Sequence, residues 1–414
     1  VGAARACMVV RDVPATDREQ FEWALQYAFS PSRGPGSTES SGDWPPALYT
    51  PRAVYDAGRL CATSKLYTLP GRVRGTETTV GGVGGVATLP EHRESGHVRR
   101  LCRDALGWYA DRDVPLAALW PFSTPFYERL GWGTAYGYSR LTTPPEQLPS
   151  HDPRGSVVRL DATDWERLSA ASDRADRDAT FRLARTEQWW HEQRFSDDGW
   201  GSVPYCYGYE RDGRLAGYLS YQVADDDQTL TVENFVTVDE EARRALLDFL
   251  GCHGAQIESV VVHDEPDTEL LARLDDPGPA TCELHRGPMV RLTTVDALAE
   301  FGWPTPTDGD PSAEVDCRLT VTDPLSVVDG VYRLQVANGT ATVDPVDDTP
   351  PSEGSEAVDT DVTVGVGTLS RLAVGACDVA TATRLGDLSV GDDRVRASLA
   401  NVFRPGTVRL RQFF

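Results

Sequence analysis

The chain has 414 residues, a length that suits about two to four domains. Hydrophobic residues make up 40% of it, enough for several cores. Its 63 acidic and 40 basic residues leave a net charge of −23, and Lys65 is the one lysine among otherwise arginine cations. That balance argues against nucleic acid as a partner. It points to the high-salt cytoplasm of a halophilic archaeon, where self-repulsion is screened and acidic surfaces keep proteins soluble. No apolar run reaches the roughly 18 residues of a membrane span, and the N-terminal stretch lacks an uninterrupted signal-peptide core. The expected location is cytoplasmic, with no membrane partner.

In chain order, residues 17–29 predict a helix with Phe21, Ala24, Leu25 and Ala28 on one face. Residues 30–46 are loop, rich in Gly, Ser and Pro. Residues 58–70 and 76–90 read as strands. Val98, Leu101, Cys102, Ala105, Leu106 and Tyr109 then recur at helical spacing, an amphipathic helix. Residues 114–122 read as a buried strand, 124–130 as a short helical turn, and 131–143 as a further strand. This order is an α/β unit, placed at residues 1–145.

Residues 146–300 repeat it: helices near 161–173 and 185–195, strands over 203–223 hinged at Asp212-Gly213, and a strand at 230–238. A helix with Asp239 as N-cap and a strand at 259–264 follow. The glycine-rich stretch of the first unit is missing, so this is a divergent copy. Residues 301–414 are α+β. They contain a strong hairpin signal at Asn338-Gly339, two amphipathic helices, and 17 acidic against 9 arginine residues.

The eight cysteines are scattered without a C-x-x-C pair and read as reduced, mostly core residues. Cys282 and His285 have a spacing that could chelate a metal, but no second pair matches it, and no metal is expected. Gly96 lies in RESGHVR (93–99), which opens the long helix. A helix N-terminus with free amides can bind pyrophosphate; an ordinary capped loop is the alternative.

Strand, R-x-x-G-x, long helix, strand and a tyrosine-bearing turn together resemble the GNAT N-acetyltransferase superfamily. ATLPEHRESGHVRRL, VPLAALWPFSTPFYERLGWG and LTVENFVTVDEEARRALLDFLG resemble the Eis (enhanced intracellular survival) acetyltransferases more specifically. The resemblance implies two GNAT-like lobes in tandem (1–145 and 146–300) and a sterol-carrier-protein-like α+β domain (301–414). It further implies that acetyl-CoA meets Val86, Ala87 and Thr88 along a strand. Glu94, Ser95, Gly96, His97, Val98 and Arg99 would surround its pyrophosphate, with Phe122 and Ser123 near the thioester. Tyr127 matches the general acid and the C-terminal carboxylate, here on Phe414, the general base. A homo-oligomer, a hexamer, is implied as well. Glu94 and Ser95 depart from the basic residues expected in that loop.

Transfer of acetyl from a thioester to an amine needs a deprotonated amine and a proton for the leaving thiolate. VGGVGGVATLP (80–90) holds no carboxylate, so the base must come from elsewhere. The two terminal phenylalanines suggest an end packed inside, where burial raises a carboxylate's pKa. Read by pattern alone, Tyr127 could equally be a core aromatic and the tail a surface anchor. The leading expectation is an acetyl-CoA-dependent N-acetyltransferase acting on an amine. The alternative is a non-enzymatic protein carrying an apolar ligand in its last domain. The second lobe, with three acids in VTVDEEARRA, is expected to bind no CoA.

Overall fold

The computed structural model describes residues 8–34, 44, 46–196, 203–224, 228–266, 269–305, 314–346 and 362–411. The first third runs β1 (Val9–Asp12), α1 (Arg18–Phe29), β2 (Tyr49–Asp56), β3 (Arg59–Val73), β4 (Thr76–Thr88), α2 (His97–Ala110), β5 (Leu116–Leu119), α3 (Thr124–Glu128) and β6 (Gly133–Thr134). It continues with β7 (Gly137–Thr143), β8 (Ser156–Arg159), α4 (Trp165–Ala175), β9 (Phe181–Leu183), α5 (Glu187–Trp189), β10 (Tyr205–Arg211), β11 (Arg214–Ala224), β12 (Thr229–Thr237), α6 (Glu240–Gly251), β13 (Ser259–Asp264), α7 (Leu270–Arg273) and β14 (Thr281–Arg286). The last part holds β15 (Met289–Leu292), β16 (Val315–Thr322), β17 (Gly330–Ala337), β18 (Thr340–Pro345), β19 (Val362–Gly365), α8 (Val366–Val374), α9 (Val379–Arg384), β20 (Leu388–Val390), α10 (Asp393–Val402) and β21 (Val408–Arg409).

Residues 1–135, 179–183 and 288–414 form one compact unit, and 136–178 with 184–287 form a second. In the first unit a sheet runs β1-β2-β3-β4-β5-β15-β6, with β9 joined to β3 and β21 to β9. A second sheet, β18-β17-β16-β19-β20, carries α8 to α10. The second unit is a sheet in the order β14-β7-β13-β12-β11-β10-β8 with its core under α6.

The spacing that predicts α2 is realised: Leu101, Cys102, Ala105, Leu106 and Tyr109 are its buried face. The hairpins form where the turn residues require them, with Asp212-Gly213 and Asn338-Gly339 all at positive φ. The expected single strand over 131–143 is two strands. β6 pairs with β15 in the first unit, while β7 lies between β14 and β13 in the second. Alternation specifies a strand but not its partner, and Leu141 of β7 buries itself in the core of the second unit.

A bulge in β4 shapes the open end of the first sheet. Thr63 pairs with Ala87 and Lys65 with Gly84, so Gly85 and Val86 together face Ser64. Gly85 takes φ +56, which suits a residue without a Cβ, and its carbonyl accepts from Thr63 Oγ1 at 3.1 Å. β4 pairs in parallel with β5 over Val80–Gly82 only. Beyond Gly82 the two strands part.

The C-terminal segment is built into this unit. Ser370 Oγ of α8 accepts from the Leu292 amide of β15 at 2.9 Å. Arg74, after β3, donates to the Ala373 and Leu372 carbonyls at 2.6 and 2.8 Å, closing the C-terminal end of α8 with a cation. Arg291 and Asp323 form an ion pair at 2.5 Å with both side chains 0% exposed. Arg291 also donates to the Leu130 carbonyl, and Asp323 accepts from the amides of Leu325, Val327 and Val328.

Burial alone would push the Asp323 pKa up. The Arg291 charge and the bonded amides outweigh it, and the carboxyl sits below its ordinary value. Its stabilisation is therefore complete above the ordinary aspartate pKa of about 3.9 and fades as pH falls through the lower folded value. Arg291→Met leaves Asp323 buried without its cation and should lower unfolding free energy by about 3–5 kcal/mol in a urea titration at neutral pH. A loss under about 1 kcal/mol would show that the amides alone satisfy the carboxylate.

Candidate active site

Past Gly82 the edge of β4 that faces β5 has no strand partner among the described residues, so backbone groups around Val86, Ala87 and Thr88 are open to an extended ligand. Val86 and Thr88 are half-buried and Ala87 is buried. The Thr88 hydroxyl is buried without a hydrogen-bond partner among the described residues.

The strand leads to a 3-10 turn, Pro90–His92, and then to α2. Glu94 and Gly96 take φ of +61 and +74, and Gly96 is the N-cap of α2 with no side-chain cap. Among the described residues, no backbone N–H from Glu94 to Arg99 donates a hydrogen bond. Successive amides at a helix start, with left-handed residues between, form an anion-binding nest. Glu94, Ser95 and Gly96 are exposed. Ser95 Oγ donates to the Arg93 carbonyl at 3.2 Å. Val98 is half-buried and Arg99 is exposed, and the Arg99 guanidinium donates to the Pro324 carbonyl. The His97 side chain is buried, so only its amide can meet a ligand in the nest.

Tyr127 lies on α3, a helix of one turn opened by Pro125. The Ser123 carbonyl accepts from the Phe126 and Tyr127 amides at 3.1 and 3.3 Å, and the Tyr127 carbonyl accepts from Leu130 and Trp132 at 2.9 and 3.1 Å. Gly131 reverses the chain at φ +81, and a side chain there would collide with the Arg291 guanidinium. The Tyr127 ring is 2% exposed. It packs with Leu66, Val83, Cys102 and Leu119, so it sits among residues of β3, β4, α2 and β5 beside the parting strands. Phe122, 68% exposed, stands 5.4 Å from it, ring centre to ring centre, as an apolar wall open to solvent. The Tyr127 hydroxyl makes no hydrogen bond among the described residues. Burial, with a smaller contribution from Cys102, pushes its pKa well above the ordinary tyrosine value. At neutral pH it carries its proton and can give it away, but cannot accept one.

Phe414 lies outside the described residues. The chain before it is anchored: β21 pairs in parallel with β9, and Leu410 is 1% exposed. β9 is antiparallel to β3 and β3 to β4, so β21 runs in the direction of β4, toward its parted end. Cys282 and His285 occur on β14, a strand, where residues three apart project from opposite faces. They do not form a chelating pair.

The second unit repeats the bulge. Ser220 pairs with Asn234 and Tyr221 with Val232, leaving Glu233 extra, and β12 meets β13 over Thr229–Val232 only. Its helix start differs. Asp239 caps α6 by accepting from the Ala242 amide at 2.9 Å, Glu240 and Glu241 occupy the first turn, and Arg211 pairs with Asp239 and Glu241. One amide of that end is already held by the Asp239 carboxylate, and the two glutamates add negative charge beside it.

Arg291 and Asp323 escaped the reading of the sequence as residues of the site. A cation inside the otherwise apolar Met289–Leu292 was the available signal, since an isolated buried charge demands a partner.

Residues 9–135 match an acetyltransferase (GNAT) domain, residues 182–292 match another, and residues 294–410 match a sterol carrier protein domain. The chain is two GNAT acetyltransferase domains in tandem with a sterol carrier domain behind them. It is an acyltransferase of the GNAT type. Its fold is similar to that of a conserved protein of unknown function from Enterococcus faecalis, at a TM-score of 0.81 and 18% identity over 99% of this chain and 100% of the other. A GCN5-related N-acetyltransferase from Anabaena variabilis follows at 0.76 and 18% over the same shares. Eis1 from Mycobacterium abscessus is similar at 0.73 and 22%, again over 99% and 100%. At these identities the likeness is one of fold. No curated protein matches the sequence. The carrier-only reading is not favoured by two acetyltransferase domains.

The burial of Tyr127 makes a direct prediction. In an ultraviolet phenolate titration, Tyr127→Phe should remove no signal below the ordinary tyrosine pKa of about 10. A difference appearing under that pH would mean that the phenol is solvated and less able to hold its proton.

Proposed function

We propose that the chain is an acetyl-CoA-dependent N-acetyltransferase in which an amine attacks the thioester directly, with Tyr127 as general acid and the Phe414 carboxylate as general base. The observation that carries this reading is the Tyr127 phenol: its ring is buried in one apolar cluster with both parting strands, it holds its proton at neutral pH, and its hydroxyl makes no hydrogen bond among the described residues.

In this reading the pantetheine arm lies along Val86, Ala87 and Thr88, pairing with the open edge of β4. The pyrophosphate rests on the amides of Glu94 to Arg99. The thioester ends near Phe122 and Ser123. The amine nitrogen attacks the acetyl carbon and loses a proton to the Phe414 carboxylate. The carbon–sulfur bond then breaks, and the departing thiolate takes the Tyr127 proton, giving amide and free thiol; exchange with solvent resets both groups. Exclusion of water raises the proton affinity of a thiolate as it does that of a phenolate, so a phenol of raised pKa remains a workable donor.

Through Phe181 and Val73, Val408 is in register with Thr76 at the start of β4, and Phe414 follows Val408 by six residues. The acidic, lysine-poor composition supports work in molar salt inside a cell. The resemblance supports a homo-oligomer, a hexamer, and light scattering in molar salt that showed a monomer would count against it.

Isothermal titration with acetyl-CoA tests the cofactor. Gly96→Asp places a carboxylate in the nest and should abolish binding, while Glu94→Arg should tighten it. Unchanged affinity in both variants removes the pyrophosphate assignment.

Turnover tests the acid and the base, with the acceptor found by a thiol-release screen of amines. Tyr127→Phe should lower kcat by about 10²–10⁴-fold with acetyl-CoA affinity unchanged. Deleting Phe414 draws the carboxylate back by up to about 3.5 Å and should cost a similar factor. A C-terminally extended chain, whose carboxylate has become an amide, should be equally slow. Full speed in that extended chain removes Phe414 from the mechanism.

A further inference from the structure

Three side chains from separate elements meet at the start of α2. Cys61 lies on β3, fully buried, and its carbonyl accepts from the Leu89 amide at 3.1 Å just past the end of β4. His92 closes the 3-10 turn that follows, and His97 is the first residue of α2. One ligand atom from each, the Cys61 sulfur and a ring nitrogen from each histidine, all lie within 4.8 Å of one another. His97 is 4% exposed, and its Nδ1 is buried with no hydrogen-bond partner among the described residues. The Cys61 thiol donates to the Arg59 carbonyl at 3.4 Å, and the Asp56 backbone also bonds it, contacts that a metal would replace.

We propose that Cys61, His92 and His97 form a binding site for a soft divalent cation, zinc above all. The donor set decides the class. One thiolate and two imidazoles suit zinc and its cobalt surrogate, whereas calcium and magnesium require oxygen ligands. A tetrahedral zinc with these ligands sets its donor atoms about 3.4–3.6 Å apart. Closing from the observed spacing takes about 1 Å, within reach of χ rotations at His92, which is only half-buried on its turn. Burial, followed by the charges of His92 and Arg100, lowers the His97 pKa and keeps that ring neutral, as a ligand must be. Burial raises the Cys61 thiol, so the incoming cation displaces its proton to solvent. Three protein ligands leave a fourth position for water.

The bound cation would tie β3, the turn after β4 and the start of α2 into one unit around the Glu94–Gly96 loop. The site is independent of the acetyltransferase mechanism, and its test reads metal rather than turnover. Among the described residues, Cys252 and Cys282 are exposed and are the competitors to control for.

The experiment uses the full chain, stripped with a chelator and titrated with Co²⁺. Wild type should develop a thiolate-to-cobalt charge-transfer band and the intense visible bands of a tetrahedral site, reversed by Zn²⁺, with a rise in the thermal unfolding midpoint. Cys61→Ser should abolish the charge-transfer band. His92→Ala, at the more exposed position, should keep the fold by circular dichroism yet weaken affinity by more than the 10–100-fold, roughly, that loss of an outer hydrogen-bond partner costs. Cys252→Ser and Cys282→Ser should each change nothing. Absence of the band in wild type overturns the proposal. So does a band that survives Cys61→Ser and His92→Ala, or one that disappears with Cys252→Ser or Cys282→Ser.

Discussion

The Arg291–Asp323 pair is the constraint on which the site depends. Neither side chain has any exposure, so neither charge can be relieved by water, and each must be held by protein groups in a single arrangement. Arg291 meets the carbonyl of Leu130, directly after the helix that carries Tyr127. Gly131 lacks a side chain where the guanidinium passes. Asp323 organises its own loop through three amides. That loop also supplies Pro324 to Arg99 in the first turn of α2, and Leu325 to the apolar cluster around Tyr127. The sterol carrier segment is thus part of the core of the first acetyltransferase domain and positions both the tyrosine and the start of α2.

The two acetyltransferase domains share a device and differ in what surrounds it. Each has a bulge in the strand before its long helix, and each loses its parallel partner there. In the first, the bulge holds Gly85, and the helix begins at a bare Gly96 with unbonded amides. In the second, the bulge holds Glu233, and the helix begins at Asp239 with two glutamates behind it. Backbone geometry alone would permit an anion at either end. Electrostatics discriminates: free N–H groups attract a phosphate, and an installed carboxylate cap both occupies one of them and repels it.

The local features of the candidate site were legible in the sequence. The Tyr127 turn is announced by Pro125 and Gly131, the anion nest by Gly96 before a strongly periodic helix, and the parting of β4 by its glycines. The candidate residues Val86 to Thr88, Glu94 to Arg99, Phe122, Ser123 and Tyr127 rest on the resemblance to the family, carried over stretch by stretch. The conjunction of Cys61 with His92 and His97 was not legible. Nothing in a strand cysteine and two histidines near a helix start says that a sheet will fold them together.

The sequence by itself determined the long helices, the longer strands, the two hairpin turns and the acidic composition. Helical periodicity, N-cap aspartates and left-handed turn residues act within a few positions, and neighbours along the chain suffice to settle them. Only the tertiary structure decided which sheet each strand joins. Residues 131–143 read as one strand but serve two units, because pairing is chosen by buried partners far away in the chain. It also decided that Cys282 and His285 face apart, and that a lone arginine in an apolar strand would find its counter-charge on Asp323. The physical reason is common to these cases. Alternation and charge fix what a segment must bury, while the burial itself is completed by whichever distant segment shares that surface.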